Sequence, residues 1–349
     1  MSSLPVTRRQ FGRLGALSAV ALGLPAVLRA QVRPSAATPL RIAVGGQAGL
    51  YYLPLTVALG QGFFRDEGLE VQVLERAGGG PALQALQAGE ADVCCGAFEH
   101  VVRQQLRGAT YRSLVLLGRA PQLALAASTR HWPLSGIAGF RGLRVGVTAP
   151  DSSTQFLASL WLSQLGVPLD EVSFVGVGSG VEALNALRQG RVHALSQADP
   201  LITMLEQRGE VRLLADTRTL KGSAEMFGGT MPGACLYAPQ GYVQGHAAEV
   251  QALVNALVHA LKWLQTASPT DLARVVPPAY LLGDRGRYLA AFYKVRETLS
   301  PDGLMPDDGP VTAVRALARL QPESASTRVA LDKTFSNDWV RKAKLKFQI

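Results

Sequence analysis

Leu40-Arg41-Ile42-Ala43-Val44-Gly45 returns about a hundred residues later as Leu143-Arg144-Val145-Gly146-Val147-Thr148. Each reads as a short buried strand: a run of aliphatic residues closed by a turn. The likeness continues downstream. Leu69–Leu74 and Val172–Val177 alternate as strands, then enter Gly78-Gly79-Gly80 and Gly178-Ser179-Gly180. A short helix follows in each copy, around Ala82-Leu83-Gln84-Ala85-Leu86 and Ala183-Leu184-Asn185-Ala186-Leu187, and stops at Gly89 or Gly190. Both copies then start an apolar strand, Ala91–Cys95 and Val192–Ser196. A strand–helix–strand–helix–strand unit written twice predicts two similar α/β lobes. Their parallel sheets need right-handed crossovers and collect ligands at the strands' carboxyl ends. Two such lobes facing one another enclose a cleft, a common place for a small-molecule site.

The remaining segments fit around this duplication. Gln122–Ser128 and Gly233–Pro239 read as two hinge strands through which the chain leaves and returns. His246–Ala267 carries Val250, Leu253, Val254, Leu257 and Leu261 on one helical face, which predicts a helix packed on the first lobe. Helices near Arg285–Leu299 and Val311–Leu320 complete that lobe. The expected division is residues 38–125 for the first part of lobe 1, 126–238 for lobe 2 and 239–349 for the return to lobe 1.

The N-terminus belongs to none of this. Arg8-Arg9 precede an apolar run from Leu14 to Leu28 that contains Gly15, Gly23 and Pro25 and ends near Arg29-Ala30. That layout predicts an export signal over residues 1–30, of the twin-arginine type, with cleavage after Ala30 or at Ala37. The run is short for a membrane span, which needs about 20 residues. No cysteine lies near either cleavage position, so no lipid anchor is expected. Removing residues 1–30 takes away four arginines and no acid, which lowers the formal charge from +9 to +5. A mildly basic mature chain does not point to nucleic acid. With 48% hydrophobic and 17% charged residues the composition is globular. Cys94 and Cys95 are adjacent and Cys235 stands alone, which describes neither a disulfide framework nor a metal site. No metal and no cofactor is expected.

Three stretches carry a family resemblance: Tyr51-Tyr52-Leu53-Pro54-Leu55-Thr56-Val57-Ala58 with Gly60–Val71, Gly89-Glu90-Ala91-Asp92-Val93, and Leu143–Val147. In order and spacing they resemble the periplasmic binding proteins of nitrate, sulfonate, taurine and thiamine-precursor ABC transporters, the SsuA/THI5-like family. The resemblance spans nearly the whole mature chain. It implies the type II periplasmic binding protein fold, two α/β lobes joined by two hinge strands, closing on a solute. It also implies a partner permease with a cytoplasmic ATPase. One departure stands out. The second-lobe loop of that family usually reads Gly-Ser-Ser or similar, whereas here it is Asp151-Ser152-Ser153-Thr154, with an acid beside the hydroxyls.

Four loops at strand ends supply the candidate ligand-binding residues: Gly46 and Gln47 before Tyr51, Gly79 and Gly80, then Ser152, Ser153 and Thr154, then Ser179. Phe98 and Glu99 follow the third strand of the first copy, and Asp199 holds the matching place in the second. Taken singly, each glycine need only permit a turn and each serine need only cap a helix. Several helix N-termini converging on one cleft favour an anion, through free N–H groups and partial positive charge. The expected protein is a non-enzymatic, monomeric, periplasmic binder of a small anionic or zwitterionic solute: a sulfonate, nitrate, a taurine-like molecule or a small carboxylate. Two alternatives stay open: a THI5-like pyrimidine-precursor binder or enzyme of the same fold, and a periplasmic sensor. Replacing Arg8 and Arg9 together by lysine is expected to leave precursor in the cytoplasm, read by fractionation and blotting. Normal periplasmic appearance of that variant removes the twin-arginine reading.

Overall fold

The computed structural model describes residues 39–132, 137–321 and 329–348. The export signal and both cleavage positions lie outside these residues. Ten strands are described: β1 (Leu40–Gly45), β2 (Val71–Arg76), β3 (Val93–Ala97), β4 (Tyr111–Leu116), β5 (Leu123–Ser128), β6 (Arg144–Val147), β7 (Ser173–Gly176), β8 (Ala194–Ala198), β9 (Val211–Asp216) and β10 (Ala234–Pro239). They form two five-stranded sheets, ordered β2-β1-β3-β10-β4 and β7-β6-β8-β5-β9. The orders are the same once each copy is aligned. β1 pairs in parallel with β2 and β3, as β6 does with β7 and β8. The crossing strands are fully built in. β5 lies antiparallel between β8 and β9, and β10 lies antiparallel between β3 and β4.

These antiparallel neighbours explain one difference from the sequence reading. β3 and β8 run two residues beyond their expected ends because Ala97 pairs with Ala234 and Ala198 pairs with Leu123. That partner comes from a distant segment, so no local pattern announces it.

Both faces of the first sheet are covered. Along β1, Leu40, Ile42 and Val44 face one apolar cluster, and Ala43 faces the other. The first cluster takes the helix Ala247–Thr266 through Val250, Leu253, Val254, Leu257 and Leu261, and the helix Arg285–Val295 through Tyr288 and Phe292. Fully burying each such aliphatic side chain contributes about 1.5–3 kcal/mol. The second cluster takes the helices Gly79–Gln87 and Phe98–Leu106. It continues through Phe156, Leu157 and Leu160 of the helix Ser153–Gln164, so one apolar cluster runs across both lobes. The helix Gly309–Leu320 packs on Phe98–Leu106 and on Ser153–Gln164.

The duplication extends to side-chain chemistry. Arg41 N–H donates to the Asp92 carboxylate (2.8 Å), and Arg41 Nη2 reaches the same group at 2.7 Å. At the matching place in the second lobe, Arg144 N–H donates to His193 Nδ1 (3.1 Å), with Arg144 Nη2 2.9 Å from His193 Nε2. Asp92 N–H and His193 N–H return bonds to the Arg41 and Arg144 carbonyls at 2.9 and 2.8 Å. Burial first, and then Arg144, push the His193 pKa down, which keeps the ring neutral and able to accept.

A second polar cluster ties the lobes together. Arg218, fully buried on the segment leaving β9, contacts Asp199 (3.2 Å), Glu206 (3.2 Å) and Asp216 (2.8 Å). Lys294, from the helix Arg285–Val295 on the first lobe, reaches Glu206 at 2.9 Å and Asp216 at 3.7 Å. Burial alone would raise the Asp216 pKa, but the Arg218 guanidinium outweighs it and holds this carboxyl below the ordinary range. Arg218→Met strands the buried Asp199 carboxylate, and breaking a buried pair costs about 3–5 kcal/mol. Urea unfolding is expected to show a loss of that order. Lys294→Met, at a part-exposed bridge, is expected to cost at most about 1 kcal/mol.

Candidate functional site

The carboxyl ends of the strands of both sheets face one cleft of about 610 Å³, counted out to its mouth. The first lobe contributes Gly45 and Gly46 at the end of β1, the short turn through Gly49, Tyr51 and Tyr52, and Gly79. The second lobe contributes Thr148, Ser153, Thr154, Ser179, Gly180 and the β8 end Gln197-Ala198-Asp199-Pro200. Leu123, Leu201, Tyr280 and Leu282 complete an apolar wall.

The helices Gly79–Gln87, Ser153–Gln164 and Val181–Arg188 begin at this cleft, and none has a side-chain cap on its first turn. Their leading N–H groups therefore keep the partial positive charge of an open helix end. The Ser152–Thr154 loop divides its hydroxyls. Ser152 Oγ donates to the Ala149 carbonyl (2.6 Å) and lies 2.7 Å from Thr154 Oγ1. Thr154 Oγ1 also accepts from Thr148 N–H and contacts Thr148 Oγ1, both at 3.0 Å. These three hydroxyls hold the loop, while Ser153, the next residue along the wall, is kept out of that network.

The expected residues separate accordingly. Gly46, Tyr51, Gly79, Ser153, Thr154, Ser179 and Asp199 line the cleft. Gln47, Gly80, Phe98, Glu99 and Ser152 do not. Gln47 N–H donates to the Glu75 carboxylate at 2.9 Å. Phe98 is fully buried in the core, because the helix after β3 turns its first residue inward. Glu99 is buried with its Oε1 at 3.4 Å from His100 Nε2 and 3.7 Å from Arg103 Nη2. Asp199 lines the wall, but its carboxylate is committed. Thr203 N–H and Oγ1 donate to it at 2.8 and 2.9 Å, and Arg218 Nη1 reaches both oxygens at 3.2 Å. Burial raises its pKa against these donors.

Sequence reasoning did not single out Thr148, Gln197, Tyr280 or Leu282. Gln197 Nε2 donates to the Gly178 carbonyl at 2.9 Å. Its counterpart in the first copy is Gly96, so the duplication carried no polar signal there. Tyr280 and Leu282 come from the returning chain, which has no repeat. Tyr51 and Tyr52 both line the cleft and meet edge to face at 4.8 Å between centroids. Tyr51 Oη is buried and has no hydrogen-bond partner among the described residues. Burial pushes both phenols well above their ordinary pKa. His100 lies behind Gly79, and burial, only partly opposed by Glu99, pushes its pKa down.

A family model described as NMT1/THI5 like matches residues 50–270. A solved structure of a protein from Bordetella bronchiseptica RB50 is 46% identical, covers 89% of this chain and 98% of its own, and superposes with a TM-score of 0.87. The alkanesulfonate-binding protein from Xanthomonas axonopodis pv. citri, bound to MOPS, is 21% identical over 87% of this chain and 97% of its own, with a TM-score of 0.59. The periplasmic nitrate-binding protein from Synechocystis PCC 6803 is 14% identical, covers 89% of each chain and has a TM-score of 0.70. These two likenesses show the shared periplasmic binding protein fold. A 4-amino-5-hydroxymethyl-2-methylpyrimidine phosphate synthase from Uromyces fabae is 29% identical over 96 residues, which span 28% of that protein.

The cleft lining has no histidine and no uncommitted carboxylate among the described residues. Affinity for an anion whose own charge does not titrate, such as nitrate or a sulfonate, is therefore expected to stay constant between about pH 6 and 8. Calorimetric titration across that range checks this. A steep loss toward high pH would place an ionising cation in the site.

Proposed function

Because the chain belongs to the NMT1/THI5-like family, we propose that it is the periplasmic solute-binding component of an ABC importer, exported by the twin-arginine route. It captures a small anion between its lobes and presents it to a permease driven by a cytoplasmic ATPase. The observation that carries this reading is the convergence of three uncapped helix starts on one cleft, beside Ser153 and Ser179. Each helix end favours a nearby anion by about 0.3–1 kcal/mol, and by more where water is excluded. Tyr51 and Tyr52 add aromatic rings to the same wall.

A simple anion fits better than a zwitterion. Glu99 is buried outside the cleft lining, near Arg103, and Asp199 is held by Arg218 and Thr203, which leaves no free carboxylate in the lining for an ammonium group. A sulfonate, nitrate or small carboxylate meets the donors. The apolar wall of Leu123, Leu201, Tyr280 and Leu282 has room for an organic tail. Binding without chemistry suits a lining of hydroxyls, an amide and aromatic rings. The three thiols lie fully buried in the strands, and burial pushes Cys94 up to about 12. The partial likeness to a pyrimidine phosphate synthase keeps a pyrimidine precursor among the organic ligands to be screened.

A thermal-shift screen over nitrate, alkyl sulfonates, small carboxylates, taurine and simple amines tests the reading, with native mass spectrometry of freshly purified protein to identify any retained molecule. Stabilisation by anions is expected, and stabilisation by amines alone overturns it. Ser153→Ala is expected to weaken anion binding by about 1 kcal/mol, one hydrogen bond. Ser153→Asp places a like charge at the same point and should weaken it far more.

A further inference from the structure

The helix Gly79–Gln87 opens with two glycines that have different neighbours. A Cβ on Gly79 would lie 3.0 Å from His100 Cε1, inside its own lobe. A Cβ on Gly80 would lie 2.3 Å from the Pro150 carbonyl oxygen and 3.2 Å from the Asp151 carbonyl carbon, both in the other lobe. Gly78, just before the helix, also meets the other lobe: its Cβ would stand 2.7 Å from Thr148 Oγ1, 2.9 Å from Ala149 Cβ and 3.0 Å from Ala149 N. At Gly80 the first lobe meets the second backbone against backbone.

The loop on the far side cannot yield. Thr154 Oγ1 accepts from Thr148 N–H, Ser152 Oγ donates to the Ala149 carbonyl, and Gln155 Oε1 accepts from Asp151 N–H at 3.0 Å. Asp151 itself adopts the left-handed conformation, with φ of +60°. From the first lobe, Arg103 Nη1 donates to the Asp151 carbonyl at 3.2 Å, which fastens the same seam. Gly80 lies in the first turn of a helix and outside the left-handed region, so its backbone does not require glycine. Helix propensity alone would favour alanine there.

We infer that Gly80 is a closure residue: its missing side chain lets the lobes meet at Pro150-Asp151, and any side chain there holds the cleft ajar. Gly80 is thus a positioning residue for capture rather than a ligand contact. The inference rests on the two-lobed capture reading but not on the charge of the solute.

Small-angle scattering of the ligand-free full chain reads the seam directly. Gly80→Ala is expected to raise the radius of gyration without lowering the thermal unfolding midpoint, and Gly78→Ala to do the same independently. Gly79→Ala, which meets only His100, should leave the radius unchanged. An unchanged radius in both Gly80→Ala and Gly78→Ala overturns the inference. So does an equal expansion in Gly79→Ala, or a lowered midpoint in Gly80→Ala, which would make the glycine a folding requirement. Failure of nitrate, MOPS and every other anion to bind the wild type would sink the anion reading and leave this comparison standing.

Discussion

Two α/β lobes make a shared site only where the carboxyl ends of their strands come close enough for both to touch one small molecule. Here that distance is set by backbone meeting backbone. Leu50 N–H, in the first lobe, donates to the Asp199 carbonyl of the second at 2.7 Å. A Cβ on Gly46 would stand 2.9 Å from Ser179 Oγ. With Gly78 and Gly80 against Ala149 and Pro150, these contacts surround the cleft. Side chains at such positions would hold the walls apart by their own thickness, and the helix starts could no longer act on one ligand. The run of glycines at strand ends therefore serves approach between lobes as well as turns within them.

This approach is reinforced away from the cleft by two unlike devices. One is the apolar cluster running from the first sheet through Phe156 and Leu160, with the helix Gly309–Leu320 laid against both lobes. The other is the Arg218 cluster, which Lys294 joins from the first lobe. Buried charge is costly to desolvate, so such a cluster holds only when its members are paired. Its innermost member, Asp199, is also part of the cleft wall. The buried cluster that Lys294 joins and the inner surface of the site therefore share one residue.

The same economy explains the electrostatics of the site. The acids around the cleft are either paired or outside its lining: Asp199 is bound by Arg218 and Thr203, Glu75 accepts from Gln47 N–H, and Glu99 is buried outside the lining, 3.7 Å from Arg103 Nη2. Asp151 turns its carbonyl, not its carboxylate, toward Arg103. What is left facing the ligand is a set of neutral donors and helix ends. Such groups carry no full charge that must be desolvated, which suits the proposed anion.

The duplication, the order of strand and helix, and the loops bordering a cleft were all legible in the chain. Each depends on local periodicity and on glycine stops, which a strand or helix displays wherever it is later placed. Even the Arg41–Asp92 and Arg144–His193 ties sit at matching positions of the two copies. The division of labour among loop residues was not legible. Whether Ser152 or Ser153 is spent on the loop depends on where Ala149 and Thr154 lie around it. Phe98 and Glu99 point away from the cleft because of how the helix after β3 seats on its sheet. Gly80 touches Pro150, and Tyr280 and Leu282 reach the cleft, only because the two lobes stop at one separation. That separation is a property of packing between distant segments, and no short stretch of sequence encodes it.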